Sequence, residues 1–189
     1  IRDRATGDIV ISFDGSDFSD MNDIKTDLHL AGGTIPKQMK EAREVYFNLK
    51  QKYYDANTMS TKQFKFKYNE FPNNYKGKSI KKAGGNSLGG AVVQYIGILD
   101  PNVGVVTTNT APLPISIAKN TRKNADNIHN YHSKSDILTM INKGGLMYNT
   151  IVGKHIYIDN GTTTFGALTP SHTGYNFKDK KKLDKFDQD

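Results

Sequence analysis

The segment Gly84-Gly85-Asn86-Ser87-Leu88-Gly89-Gly90-Ala91 holds the residues best suited to chemistry. A serine with a glycine two positions to either side is the spacing of a nucleophile elbow. A serine hydroxyl attacks a carbonyl only when something takes its proton, and the elbow puts it where that can happen. A sharp strand-to-helix turn lifts the hydroxyl clear of the sheet and holds the serine in a strained backbone conformation. Side chains two residues away would collide with the adjoining strand and helix, which accounts for Gly85 and Gly89. The following helix aims its first N–H groups at the point where an oxyanion develops. The N–H of Leu88, next after the serine, is the expected donor.

Such a serine needs an imidazole base and a carboxylate to orient it. On an elbow the chain order is serine, then acid, then histidine. Four histidines follow Ser87, and two of them, His129 and His132, precede the favoured acid. His155 lies in the apolar, strand-like run Lys154-His155-Ile156-Tyr157-Ile158, whereas His172 lies in the loop Thr169-Pro170-Ser171-His172-Thr173-Gly174-Tyr175. A general base must present a ring edge at the open end of a sheet, so the loop histidine His172 is the expected base. His155 is then a strand histidine with a satisfied side chain. For the acid, Asn130-Tyr131-His132-Ser133-Lys134-Ser135-Asp136 sets Asp136 just past a strand end. Asp126 is the rival but lies before that strand, and Asp159 precedes Asn160-Gly161, a hairpin signal. The bland role for Asp136 is to cap a helix beginning near Ile137.

The stretch Gly85-Asn86-Ser87-Leu88-Gly89-Gly90-Ala91 resembles the Gly-His-Ser-Leu-Gly-Gly-Ala segment of class 3 lipases, which are α/β-hydrolases. The earlier Ile9-Val10-Ile11-Ser12-Phe13-Asp14-Gly15-Ser16-Asp17 resembles their strand ending in Phe-Arg-Gly-Ser/Thr. Asp23-Ile24-Lys25-Thr26-Asp27-Leu28 is similar to the Asp-Trp-x-x-Asp-Leu that follows it. The likeness runs from about residue 9 to 175 and is strongest to bacterial members, among them lipase-like domains of toxins exported by type VII secretion. It implies an α/β-hydrolase fold, a central mostly parallel sheet flanked by helices. It also implies a serine lipase or esterase acting on lipid carboxylic esters, of phospholipase A type, without a cofactor. On the same ground Ser16 is the second oxyanion donor, through its N–H, and His172 matches a late histidine followed by tyrosine. A secreted, antibacterial toxin domain with a dedicated immunity protein is the corresponding biological expectation. Two positions depart from the pattern: Asn86 replaces the usual His, and Asp14 replaces the usual Arg, so any ion pair of that Arg is lost. They leave room for an alternative, a catalytically inactive hydrolase fold serving as an interaction module.

The elements that must carry these residues alternate between strand and helix, as an α/β architecture requires. Ile9-Val10-Ile11-Ser12-Phe13 reads as a buried strand, entered through a turn at Thr6-Gly7-Asp8. Met39, Ala42, Val45, Tyr46 and Leu49 recur every three or four residues and predict an amphipathic helix over 36–54, with Thr34 as N-cap and Pro36 in its first turn. Phe64-Lys65-Phe66-Lys67-Tyr68 alternates in the manner of a strand. Further strands are expected at 80–84, 103–109, 127–131 and 155–158, and a small-residue helix at 88–99. Ile80-Lys81-Lys82-Ala83 is awkward for a central strand, because buried lysines are costly. Either the strand is short or both lysines reach solvent. One hydrolase domain is expected over 1–177, followed by a charged tail at 178–189. A chain beginning at Ile1 reads as a piece of a longer protein.

Composition sets the outer bounds. The 189 residues are 36% hydrophobic, enough for a real core and against wholesale disorder. Cysteine is absent, which excludes disulfides and thiolate chemistry. No apolar run reaches the roughly 18 residues of a membrane span. The most apolar stretch, 89–99, is interrupted by Gln94. A net charge of +7 favours anionic partners. Seven lysines (62, 65, 67, 76, 78, 81 and 82) interleave with Phe64, Phe66, Tyr68 and Phe71, which reads as a face for an anionic membrane surface. The loop 18–35 reads as a lid. Nucleic acid is not expected, since no recognition motif is present. Metal is not expected either: His129 and His132 lack a third ligand, and the spacing of Asp14, Asp17, Asp20 and Asp23 does not fit a calcium loop.

Overall fold

The computed structural model describes residues 1–15, 35–119, 121, 125–133 and 150–158. Five strands form a single sheet: β1 (Ile9–Phe13), β2 (Ile80–Asn86), β3 (Gly104–Thr108), β4 (Ile128–Ser133) and β5 (Lys154–Ile158). Their spatial order is their chain order, and every neighbouring pair is parallel. Parallel neighbours require a crossover between them. The first contains α1 (Lys37–Thr58), α2 (Thr61–Tyr68) and a 3₁₀ turn (Pro72–Asn74), the second α3 (Ser87–Leu99), and the third the short α4 (Ile115–Ala118). The result is an α/β, Rossmann-like layout. All five strands finish at one end of the sheet, where the loops of such folds carry their sites.

The core lies between one face of the sheet and two helices. α3 packs across β1, β2 and β3, and α1 packs on α3. Met39, Ala42 and Tyr46 of α1 meet Val92, Val93 and Ile96 of α3, above Ala83, Val105 and Ile128 of the strands. The opposite face is more open: Ser12 and Lys82 are exposed, and so is Val106.

Three expectations need correction. Pro36, not Thr34, occupies the N-cap position of α1 and supplies no side-chain cap; Thr34 lies outside the described residues. Val45 is 58% exposed, so the buried stripe is narrower than its spacing predicts.

Residues 64–68 are helical rather than extended. The cause is a capping box at Ser60: its hydroxyl accepts from the Gln63 N–H, and Gln63 Oε1 accepts from the Ser60 N–H. Phe64 and Tyr68, four apart, then fall on one side with ring centroids 4.7 Å apart, while Phe66 turns outward.

β2 is not shortened by its lysines. Ile9 pairs with Ile80 but Val10 pairs with Lys82, so Lys81 is an extra residue in the ladder. That bulge lets Ile80 and Ala83 both face the core while Lys81 and Lys82 both reach solvent.

Candidate active site

β2 hands over to α3 between Asn86 and Ser87, and Ser87 takes φ +54°. A left-handed backbone at a non-glycine residue costs about 1–3 kcal/mol and persists only where the surroundings enforce it. Here they do. A Cβ on Gly89 would lie 2.1 Å from the Phe13 carbonyl oxygen, and one on Gly85 would lie 2.3 Å from the Gly89 carbonyl oxygen. The first turn of α3 therefore sits directly on the ends of β1 and β2. Gly90 is fixed in the same way by Thr110, whose Oγ1 would be 2.5 Å from an added Cβ. Leu88 stands in the first turn, where N–H groups have no partner within the helix.

Bonds from neighbouring strands brace the turn. The Ser87 carbonyl accepts from the Ala111 N–H at 2.9 Å. Asn86 donates through Nδ2 to Thr108 Oγ1 (2.9 Å) and to the Thr108 carbonyl (3.1 Å). The Asn86 side chain thus ties the turn to β3. Asn109, buried and at φ +43°, accepts from the Ser133 N–H on Oδ1 at 2.8 Å. Gln94 is fully buried in α3. It donates to Thr110 Oγ1 at 2.7 Å and accepts from the Val152 N–H at 2.9 Å, linking α3 to the loops after β3 and before β5. Sequence reasoning registered Gln94 only as a break in an apolar run. A fully buried glutamine must be hydrogen-bonded, and that was the available signal for a brace.

Ser87 is fully buried, and its Oγ has no hydrogen-bond partner among the described residues. His129, His132 and His155 therefore do not serve it. Instead His132 Nε2 and His155 Nδ1 lie 3.1 Å apart, the rings stack at 5.1 Å, and Tyr157 stacks on His132 at 5.2 Å. Burial pushes the His155 pKa down, against a raising backbone hydrogen bond at Ile151. His155 is thus a bonded strand histidine, as its setting suggested. Asp126 is exposed and precedes β4, at the end of the sheet away from Ser87.

Of the expected site residues, Ser87 and Leu88 stand at the turn as anticipated. Asp136, His172 and Ser16 lie outside the described residues. So do Asp17, Asp20, Asp23, Asp159, the tail 178–189 and all of the expected lid except Ile35. Gly15 is described, and a Cβ there would lie 2.8 Å from the Asn86 carbonyl oxygen and 3.0 Å from Ser87 Cβ. The chain leaving β1 thus runs against the elbow one residue before Ser16. Among the described residues no cluster of three or more metal-binding side chains exists, and no helix is long and apolar enough to cross a membrane.

The fold and the turn define an α/β protein with a strained serine at the finishing end of a parallel sheet. No protein-family model matches the chain, and no curated protein or solved structure matches it significantly.

Proposed function

We propose that the chain has the α/β-hydrolase fold and is a serine hydrolase of lipid carboxylic esters, of phospholipase A type. The observation that carries this reading is the +54° φ of Ser87 between β2 and α3, enforced by glycines that admit no Cβ. A structural glycine turn needs no strained serine, whereas a nucleophile elbow does. In this reading His172 takes the Ser87 proton and Asp136 holds the imidazole in the useful tautomer. Ser87 Oγ attacks the ester carbonyl, and the N–H groups of Leu88 and Ser16 receive the oxyanion. The protonated imidazole gives its proton to the departing alcohol, and water then releases the acid from the acyl-enzyme. The proximity of Gly15 to Ser87 supports Ser16 as second donor. Substrate entry requires the buried Ser87 to become exposed. A secreted toxin domain neutralised by an immunity protein is the matching biological proposal.

The full burial of Ser87, whose hydroxyl has no hydrogen-bond partner among the described residues, favours a second reading, an inactive hydrolase fold used for binding. One experiment separates the two. The purified chain is assayed with a short-chain p-nitrophenyl ester, with phospholipid vesicles, and with a fluorophosphonate that labels activated serines. The hydrolase reading expects turnover and stoichiometric labelling, both lost in Ser87→Ala, with turnover down at least about 10⁴-fold. A folded chain that neither turns over ester nor takes the label leaves the inactive module standing.

A further inference from the structure

The end of the molecule where β1 and β2 begin carries charge and aromatic surface with no task in hydrolysis. α2 and the turn Pro72–Asn74 are fastened there. Asn57, near the end of α1, accepts from the Gly77 N–H at 2.7 Å, and the Ser79 carbonyl accepts from the first N–H of β1 at 2.9 Å. The seven residues of β2 separate this end from Ser87 by about 20 Å at roughly 3.3 Å per residue. The surface therefore cannot be the rim of the serine site, as an interfacial lipase face would be.

The described carboxylates in contact with these elements are already engaged. Asp55 accepts from Lys67 at 2.6 Å and from the Tyr68 hydroxyl at 2.6 Å. Glu70 accepts from Lys52 at 2.7 Å and from the Tyr75 hydroxyl at 2.5 Å. Lys62, Lys65, Lys76 and Lys78 make no ion pair among the described residues. Lys65 rests over the Phe71 ring at 4.7 Å, and Lys78 donates to the Asn74 carbonyl. Phe71 is 57% exposed and Phe66 is 94% exposed. Phe66 sits two residues from the buried Phe64 on a one-sided helix, so it projects from the body rather than lining a groove.

We propose that this end docks on an anionic lipid bilayer: Phe66 and Phe71 enter the headgroup region while Lys62, Lys65, Lys76 and Lys78 meet the lipid phosphates and carboxylates. Lysines with no ion pair among the described residues, set around projecting aromatic rings, are the chemistry of interfacial anchoring. Single-stranded nucleic acid prefers rings laid along a basic groove, and a projecting Phe66 does not offer one. The serine end then faces away from the bilayer that holds the protein, so docking acts as a tether and does not depend on the hydrolase reading.

The test is co-sedimentation of the 189-residue chain with phosphatidylcholine vesicles, with and without phosphatidylserine. The chain is expected to pellet only with the anionic vesicles and to be released by added salt. Lys62→Glu/Lys65→Glu should weaken partition by at least about twenty-fold, and Phe66→Ser by roughly ten-fold. Both variants alter exposed side chains, and unchanged circular dichroism and Tm show that they fold. Ser87→Ala should bind as tightly as the parent. Equal binding to neutral and anionic vesicles, no binding to either, or undiminished binding by both folded variants overturns the proposal. So does preference for a single-stranded oligonucleotide over anionic vesicles, lost on the same substitutions.

Discussion

The two ends of the sheet are held together by different means. Where the strands finish, the elbow is fixed by close backbone contact and neutral amide bonds: Gly85 and Gly89, which admit no Cβ against backbone, a left-handed serine, and the bonds of Asn86, Gln94 and Asn109. Where the strands begin, side-chain charge does the work, through Lys50 and Tyr46 on Asp100 and through Lys52 and Lys67 on their carboxylates. Backbone contacts tolerate almost no change of volume, whereas ion pairs at a surface can be loosened in steps. The finishing end should therefore fail abruptly on substitution and the starting end gradually.

The sharpest way to break that contrast is one methyl group. Gly89→Ala puts a Cβ 2.1 Å from the backbone of Phe13, which cannot swing aside as a side chain would. We expect a loss of at least about 4 kcal/mol, or failure to fold. Gly77→Ala, at the starting end, meets nothing within 4 Å and carries only the strain of φ +71°. Its cost should be about 1 kcal/mol. Urea unfolding of both variants decides the matter, and a smaller loss for Gly89→Ala would remove the account of the elbow.

A middle-sized effect belongs to Asp100. It is almost fully buried, and it accepts from the Tyr46 hydroxyl at 2.5 Å and from Lys50. Burial raises its pKa, but the bonds from Lys50 and Tyr46 outweigh burial, so the carboxyl titrates below its ordinary value. Because the folded pKa is depressed, this stabilisation is present above the unfolded value near 4 and is lost as pH falls through the folded one. Asp100→Asn should cost about 2 kcal/mol at pH 7 and less at acid pH.

The contrast also explains what the sequence could reveal. Gly85 and Gly89 are legible because a glycine at fixed spacing states a backbone requirement directly. The strands are legible because runs such as Ile9-Val10-Ile11 have few other stable fates. The bulge at Lys81 was not, because it depends on which residue of β1 lies opposite. Asn109 was hidden for a similar reason: its left-handed turn is held by a bond to Ser133, far along the chain. Residues 64–68 misled because five alternating residues fit a strand as well as a one-sided helix. The Ser60-x-x-Gln63 box just before them was the signal that decides between the two. Asp136 and His172 rest on chain order, strand-end and loop setting and the family resemblance, and both lie outside the described residues.

A smaller effect sharpens the picture at the serine itself. Ser87→Ala and Ser87→Gly both remove the hydroxyl and differ only in a Cβ at φ +54°. In an ordinary helix position alanine is more stable than glycine by about 1 kcal/mol. At this position the order should invert, with the glycine variant the more stable by about 1 kcal/mol. Both should be inactive toward esters. Thermal melts of the pair, at matched pH, test the strain without reference to any substrate, and the ordinary order would show that the turn is relaxed.

The smallest effect concerns the stacked pair between β4 and β5. With His132 Nε2 and His155 Nδ1 at 3.1 Å, one ring must donate and the other accept, so the arrangement holds only while at least one imidazole is neutral. Burial lowers the His155 pKa, so the unfolded chain takes up its proton at higher pH than the folded one does. The contribution to stability is therefore full above the ordinary histidine value near 6.5 and declines as pH falls through the depressed folded value. Tm should drop between pH 7 and pH 5 by less than Asp100→Asn lowers it at pH 7. His155→Gln should flatten that drop, because an amide accepts a bond in this setting without titrating. An equally steep decline in the variant would assign the acid sensitivity to other groups. The elbow glycines cannot contribute to it, since nothing in their contacts changes charge.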